Sequence, residues 1–353
     1  MFSSLPFSYM FFSVMSIGTL FSISSTHWLG IWAGLEVNLI GFLPLLVYQK
    51  SMSSSESAVK YFVAQALGSS LLIFGSLSLY SLSFTWEVLA SSDMGSSASL
   101  FILIAGLFIK LGMFPFHFWL PSVMAGLSWL SCLLLATWQK LAPLFLTMSL
   151  FQFGFSYSLF LVLCAISAGS SMVGGIGGIN QTQVRALLAY SSIGHLGWIM
   201  FGLLHSEWVM KTYFVIYMFI SFCLFMTLWY SDSSTMKNLG SPKKSGLNQT
   251  SVMFMLLSLG GLPPLLGFIS KWLVMMISVN SYLWSFVFIL IIGSVMSLFY
   301  YLGLFFSLLL NNLKNNSNMK KWFEKTNILL MSLLLVNLFG GLLILMMNSL
   351  ETL

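Results

Sequence analysis

Five ionisable side chains sit in the middle of long apolar stretches, and chemistry is sought there first. Glu36 lies in Trp32-Ala33-Gly34-Leu35-Glu36-Val37-Asn38, and Lys110 in Phe108-Ile109-Lys110-Leu111-Gly112-Met113-Phe114-Pro115. Lys140 lies in Trp138-Gln139-Lys140-Leu141-Ala142-Pro143, His195 in Ser191-Ser192-Ile193-Gly194-His195-Leu196-Gly197-Trp198, and Lys271 in Gly267-Phe268-Ile269-Ser270-Lys271-Trp272. A charged side chain at the centre of a bilayer costs about 2.5–3.5 kcal/mol on insertion scales, so it persists only when paired, hydrated or needed. Burial in low dielectric penalises the charged form of each group. A carboxylate, three amines and an imidazole in such surroundings can take up and release protons, and a row of them can pass protonation along.

Blander readings exist for each. Glu36 can be half of a structural ion pair with a lysine of another span. Lys110 and Lys271 can snorkel to an interface; Lys110 is far from a span end, whereas Lys271 is nearer one. His195 can bond a neighbouring helix. His117, in Phe116-His117-Phe118-Trp119, is close to a span end and suits an interface.

The elements that must position these groups are transmembrane helices. Of 353 residues, 58% are hydrophobic and 6% charged, against about a quarter charged in soluble domains, and mean hydropathy is +0.95. About twenty apolar residues cross a bilayer core, and only helices satisfy their own backbone there when they stand alone. The fold class expected is all-α, a polytopic protein of about 11 spans. They read as 5–24, 27–48, 58–80, 99–120, 123–151, 157–179, 184–205, 208–230, 251–277, 283–310 and 327–347.

Loop charges test that count. Lys50 and Lys60, Arg185, Lys237, Lys243 and Lys244, then Lys314, Lys320, Lys321 and Lys325 all fall on one face. Glu87, Asp93, Glu207 and Glu351 fall on the other, with Lys211 the basic exception. By the positive-inside rule the basic face is the cytosol or matrix side, with the N-terminus on it and the C-terminus opposite.

Spans one to five and six to ten suggest two inverted five-helix repeats, residues 1–151 and 157–310, followed by a C-terminal helix within 326–353. The fourth span of each half is interrupted, by Pro115 in one and by Gly261, Pro263 and Pro264 in the other. Proline removes a helical hydrogen bond and clashes with the preceding turn. Paired broken helices in inverted halves are a mark of transporters. Pro143 is expected to loosen the helix beside Lys140.

Several function classes are disfavoured. Fourteen basic residues give a net charge of +6 but form no dense stripe, so nucleic acid is not an expected partner. Cys132, Cys164 and Cys223 lie in apolar segments without a metal-site or disulfide spacing. Gly174-Gly175-Ile176-Gly177-Gly178 follows no strand and reads as close helix approach rather than a dinucleotide loop. No lysine or arginine precedes the first span, which argues against a signal or transit peptide.

The runs Phe114-Pro115-Phe116-His117-Phe118-Trp119-Leu120-Pro121, Trp138 to Pro143, Ser191 to Trp198 and Gly261 to Phe268 together resemble the antiporter-like membrane subunits of mitochondrial NADH–ubiquinone oxidoreductase, respiratory complex I. The resemblance covers nearly the whole chain in order, and animal members of one branch have eleven helices. It implies a proton-translocating subunit of the inner mitochondrial membrane, driven by quinone reduction elsewhere in the complex. The proton path would use Glu36 with Lys110 in the first half, Lys140 as the link, His195 on the axis and Lys271 in the second half. No cofactor is expected in this chain; NAD, FMN, iron–sulfur clusters and ubiquinone would belong to other subunits. Expected partners are other membrane subunits, especially chain 4 and the small chain 4L, and lipids such as cardiolipin. Where the family often has an acidic residue after Pro121, this chain has Ser122.

A free-standing cation/proton antiporter is the alternative. It would be expected to bind its cation through a mid-membrane aspartate, whereas Asp93 and Asp232 lie in loops. A haem protein would want paired histidines within one span, and the four histidines form no such pair. A purely structural scaffold would have little use for costly mid-membrane charge.

Overall fold

Apolar runs with few charges leave the backbone no partner but itself, and the chain is helical as that requires. The computed structural model describes residues 7–48, 51–84, 86–87, 97–151, 156–231, 246–263, 265–279, 283–314, 336–337 and 340. In chain order the helices are α1 (Ser8–Ser24), α2 (Trp28–Val47), α3 (Met52–Ser83), α4 (Ser97–Leu111), α5 (Trp119–Gly126), α6 (Trp129–Ala136) and α7 (Trp138–Phe151). There follow α8 (Tyr157–Ile179), α9 (Val184–His205), α10 (Glu207–Ser231), α11 (Gly246–Gly260), α12 (Leu266–Ser278) and α13 (Trp284–Lys314). Seven segments among the described residues are long and apolar enough to cross a membrane, the α6–α7 stretch Trp129–Phe151 counting as one. Pro264, most of the expected eleventh span and most of the basic loop residues lie outside the described residues.

The chain divides into two units, Met1–Cys164 and Ala165–Leu353. In the first, α1 packs along α2, α3 along α4, and α7 against α1 and α4. In the second, α9 and α13 approach α8 through its glycine run. A Cβ on Gly174 would stand 2.5 Å from the Gly194 nitrogen, and one on Gly175 would stand 2.7 Å from the Gly293 carbonyl. Only hydrogen in place of a side chain allows that approach.

The expected fourth span is two helices, α4 and α5, and the expected ninth is α11 and α12. Both breaks are made by glycine ahead of the proline. Gly112 (φ 73°) and Gly261 (φ 80°) occupy the left-handed region that closes a helix. At the first, Gly112 N donates to the Ile109 carbonyl and Met113 N to the Phe108 carbonyl. At the second, Gly261 N donates to the Ser258 carbonyl and Leu262 N to the Leu257 carbonyl. This is one Schellman closure used twice. Pro115 and Pro263 follow two or three residues later, where they prevent the helix from resuming.

The expected fifth span needs one correction. Residues 123–126 belong to α5, so the span proper starts at Trp129. The helix is interrupted at Thr137, before Lys140, while Pro143 sits inside α7. Thr137 Oγ1 donates to the Leu133 carbonyl at 2.7 Å, and Lys140 N donates to the Thr137 carbonyl instead of continuing the regular ladder. A hydroxyl that bonds back one turn bends a helix. Pro143 lacks the N–H that would hold the Gln139 carbonyl, which loosens the same turn from its other end.

Candidate functional site

In the first unit the closed end of α4 decides where Lys110 can go. The last carbonyls of a helix need donors, and here neutral groups supply them. Trp119 Nε1 donates to the Ile109 carbonyl at 3.0 Å, and Gln65 Nε2 to the Lys110 carbonyl at 3.4 Å. The Lys110 ammonium is thereby left for a charge. It stands 3.9 Å from Glu36 Oε1, with the lysine side chain 3% exposed and the glutamate 26%. Two groups 74 positions apart in sequence form one pair, its ammonium buried and its carboxylate partly exposed. The snorkelling reading of Lys110 fails on that burial, and the ion-pair reading of Glu36 is realised.

Beside the pair runs a second polar chain. Asn38 Nδ2 donates to Gln139 Oε1 at 2.8 Å, Gln139 Nε2 returns a bond to Asn38 Oδ1 at 3.2 Å, and the Tyr61 hydroxyl donates to Gln139 Oε1 at 3.3 Å. Tyr61 and Gln65 are one turn apart on α3, so a single helix face touches both chains. Lys140 follows Gln139 directly and is 2% exposed. The amide clamp therefore fixes the first turn of α7, from which Lys140 projects.

In the second unit the end of α11 is closed differently. Lys271 Nζ donates to the Gly260 carbonyl at 2.9 Å, and the residue is 6% exposed. The ammonium serves the negative end of the helix dipole, inside the protein, so interfacial snorkelling does not describe Lys271 either. His195 is 8% exposed, its Nδ1 hydrogen-bonded to the Tyr213 hydroxyl at 3.0 Å, with the Tyr217 ring 5.2 Å away. His195 and Lys271 line one small cavity together with Ser171, Ser191, Ser294, Ser297 and Tyr301. A cavity so rich in hydroxyls suits water, which needs two to four polar partners. His117 is 7% exposed and lies between the Phe114 and Phe118 rings. It is buried rather than interfacial.

All five sequence-selected residues are thus described, two brought together in each unit and Lys140 set beside the amide clamp. Sequence reasoning missed Asn38, Tyr61, Gln65, Gln139 and Tyr213. Their signal was available in part: polar side chains at helical spacing in spans otherwise apolar. A search for formal charge passes over them. Gly112 was likewise overlooked because the adjacent proline drew attention. Among the described residues, no group of three or more His, Cys, Asp or Glu gathers as metal ligands.

What this arrangement can do chemically is move a proton: one carboxylate–ammonium pair, one hydroxyl-lined amine–imidazole cavity and one deeply buried amine. Residues 25–297 match the family described as NADH:quinone oxidoreductase/Mrp antiporter, transmembrane. NADH-ubiquinone oxidoreductase chain 2 of Lumbricus terrestris is 39% identical over 299 residues, 84% of each chain. That of Anopheles gambiae is 37% identical over 326 residues, 90% of this chain and 89% of the other. A chain in the solved structure of respiratory complex I from Thermus thermophilus with bound aureothin superposes with a TM-score of 0.78 at 26% identity, covering 85% of this chain and 70% of that one. The chain belongs to the NADH:quinone oxidoreductase/Mrp antiporter transmembrane family, in its NADH-ubiquinone oxidoreductase chain 2 branch.

Proposed function

We propose that this chain, an antiporter-like membrane subunit of complex I, carries protons through the middle of the inner mitochondrial membrane while electrons pass from NADH to ubiquinone in other subunits. The observation that carries this is the pair of glycine-closed helix breaks, each with a buried lysine at its end. A broken helix frees backbone groups and admits water only where protein encloses it. Lys110 is held there beside its charge partner Glu36, and Lys271 beside a hydroxyl-lined cavity.

Glu36 and Lys110 act as the proton-exchanging pair of the first half. Lys140, held by the first turn of α7, links the halves, and His195 with Lys271 serves the second. The same closure in each half supports two inverted five-helix repeats and a count of eleven spans, the last within 326–353. In this reading the basic loops face the matrix, the N-terminus with them, and the C-terminus faces the intermembrane space. NAD, FMN, iron–sulfur clusters and ubiquinone are held by other subunits. Chain 4, chain 4L and cardiolipin are the expected neighbours, and translocation rather than redox chemistry is this chain's share of the enzyme.

The test is Lys140→Ala in the assembled complex within sealed membranes. Assembly is expected to persist, with proton pumping and quinone-coupled turnover both strongly reduced. Normal pumping in an assembled Lys140→Ala complex would make Lys140 a structural residue and remove the link from the path.

A further inference from the structure

Three buried polar atoms on α2 have no hydrogen-bond partner among the described residues: Trp28 Nε1, Trp32 Nε1 and Glu36 Oε1. Their residues are spaced i, i+4 and i+8, so they descend one stripe of the helix, over about 12 Å at the helical rise. The stripe is not the surface that packs on α1. That surface is Gly34, Asn38 and Gly41, which meet Ser22, Gly18 and Met15.

Both ends of the stripe are defined. At the upper end Trp28 N donates to the Trp86 carbonyl at 3.1 Å, and His27 pairs with Glu87 in a single antiparallel bridge. His27 and Glu87 are exposed. At the lower end Glu36 Oε1 faces Lys110 Nζ across 3.9 Å, an ion-pair separation beyond a direct hydrogen bond. Tyr61 is another titratable group within electrostatic reach of Glu36.

Buried polar groups in native proteins are met by protein or by ordered water. One orphan indole is an ordinary exception. Two on the stripe that joins an exposed carboxylate and imidazole to a buried ion pair form a pattern. An indole N–H donates only, so it holds a water by the oxygen and leaves both hydrogens for the next acceptor. The acceptor at the bottom of the stripe is Glu36.

We propose that α2 carries a water-holding access path to the Glu36–Lys110 pair, entered at His27 and Glu87 and lined by the Trp28 and Trp32 indoles. The path delivers protons between the Glu87 face and the pair. Its use in translocation rests on the proton-carrying reading above, whereas its existence does not.

The test is thiol accessibility in the assembled complex. Trp32→Cys is expected to react with a small, charged, membrane-impermeant thiosulfonate added on the Glu87 face, and not when it is added on the opposite face. Ile40→Cys, one turn beyond Glu36 where the path ends and 61% exposed, is expected to stay unlabelled. Cys132, Cys164 and Cys223 are buried, and the parent complex sets their background. Absence of labelling at Trp32→Cys, or labelling from the opposite face alone, overturns the path. Should Trp32→Cys fail to assemble, Trp32→Phe keeps the ring and removes the donor. With Glu36 protonated by lowering the pH and its carboxyl band assigned in infrared spectra with Glu36→Gln, hydrogen–deuterium exchange of that carboxyl is then expected to slow by about tenfold or more. Unchanged exchange overturns the proposal. Labelling at Trp32→Cys together with normal pumping in Glu36→Gln would keep the path and discard the proton-carrying role of Glu36.

Discussion

The two broken helices share a backbone and differ in what their lysines do. In the first unit the end of α4 is capped by neutral donors, Trp119 and Gln65, and Lys110 is released to face Glu36. In the second unit Lys271 itself caps α11 at Gly260, and its company is hydroxyls and His195. Among the described residues the second unit has no mid-span carboxylate: Glu207 stands at the start of α10. One lysine is thus held by a charge that can itself be neutralised, the other by a dipole that cannot. A protonation change at Glu36 alters the field at Lys110 directly. The carbonyl of Gly260 offers no such control.

The largest effect separating the two should come from removing each lysine. Lys110→Met leaves a mid-membrane carboxylate unpaired. Stranding one partner of a buried pair costs about 3–5 kcal/mol, and the partial exposure of Glu36 lowers that figure. Lys271→Met strands one carbonyl, for about 1–3 kcal/mol. Thermal dissociation of the purified complex should therefore fall further for Lys110→Met, while coupled pumping fails in both. Equal loss of stability would show that the Glu36 contact contributes little.

Next come the closing glycines. Alanine at Gly112 or Gly261 must adopt a left-handed backbone, about 1–3 kcal/mol of strain. At Gly261 the new methyl would also stand 3.0 Å from Lys271 Nζ, whereas at Gly112 it would meet the Leu120 side chain at 2.8 Å. Gly261→Ala is expected to depress pumping beyond its effect on assembly, and Gly112→Ala to act mainly on assembly. Pumping per assembled complex separates the two.

The smallest effects should come from the hydroxyls. Tyr213→Phe removes the partner of His195 Nδ1, and Tyr61→Phe removes one of the donors to Gln139. Each should cost about 0.5–1.5 kcal/mol. Pumping in Tyr213→Phe should fall because the imidazole loses its orientation. Unaltered pumping there would take His195 out of the path and leave Lys271 as the only proton carrier of that cavity.

Much of this was legible in the residues themselves. Membrane class follows from too few charges to cover a surface. The five titratable residues declare themselves because an ionisable group in hydrocarbon is costly enough to demand a reason. The helix breaks were visible as proline and glycine, although the chain closes on Gly112 and Gly261 and the prolines only prevent resumption. Pro143 beside Lys140 is visible in the sequence, whereas the interruption at Thr137 is not, since a hydroxyl's back-bond is a local competition that composition does not rank.

Pairing was beyond the sequence. Lys110 and Lys271 look alike in it, each an amine in an apolar span near a break. Only tertiary structure decides that one meets Glu36 and the other a carbonyl, because the choice depends on which neutral donors reach each helix end first. Sequence determined that each of these groups needed a partner; packing determined which, because a hydrogen bond reaches about 3 Å and Glu36 and Lys110 lie dozens of residues apart along the chain.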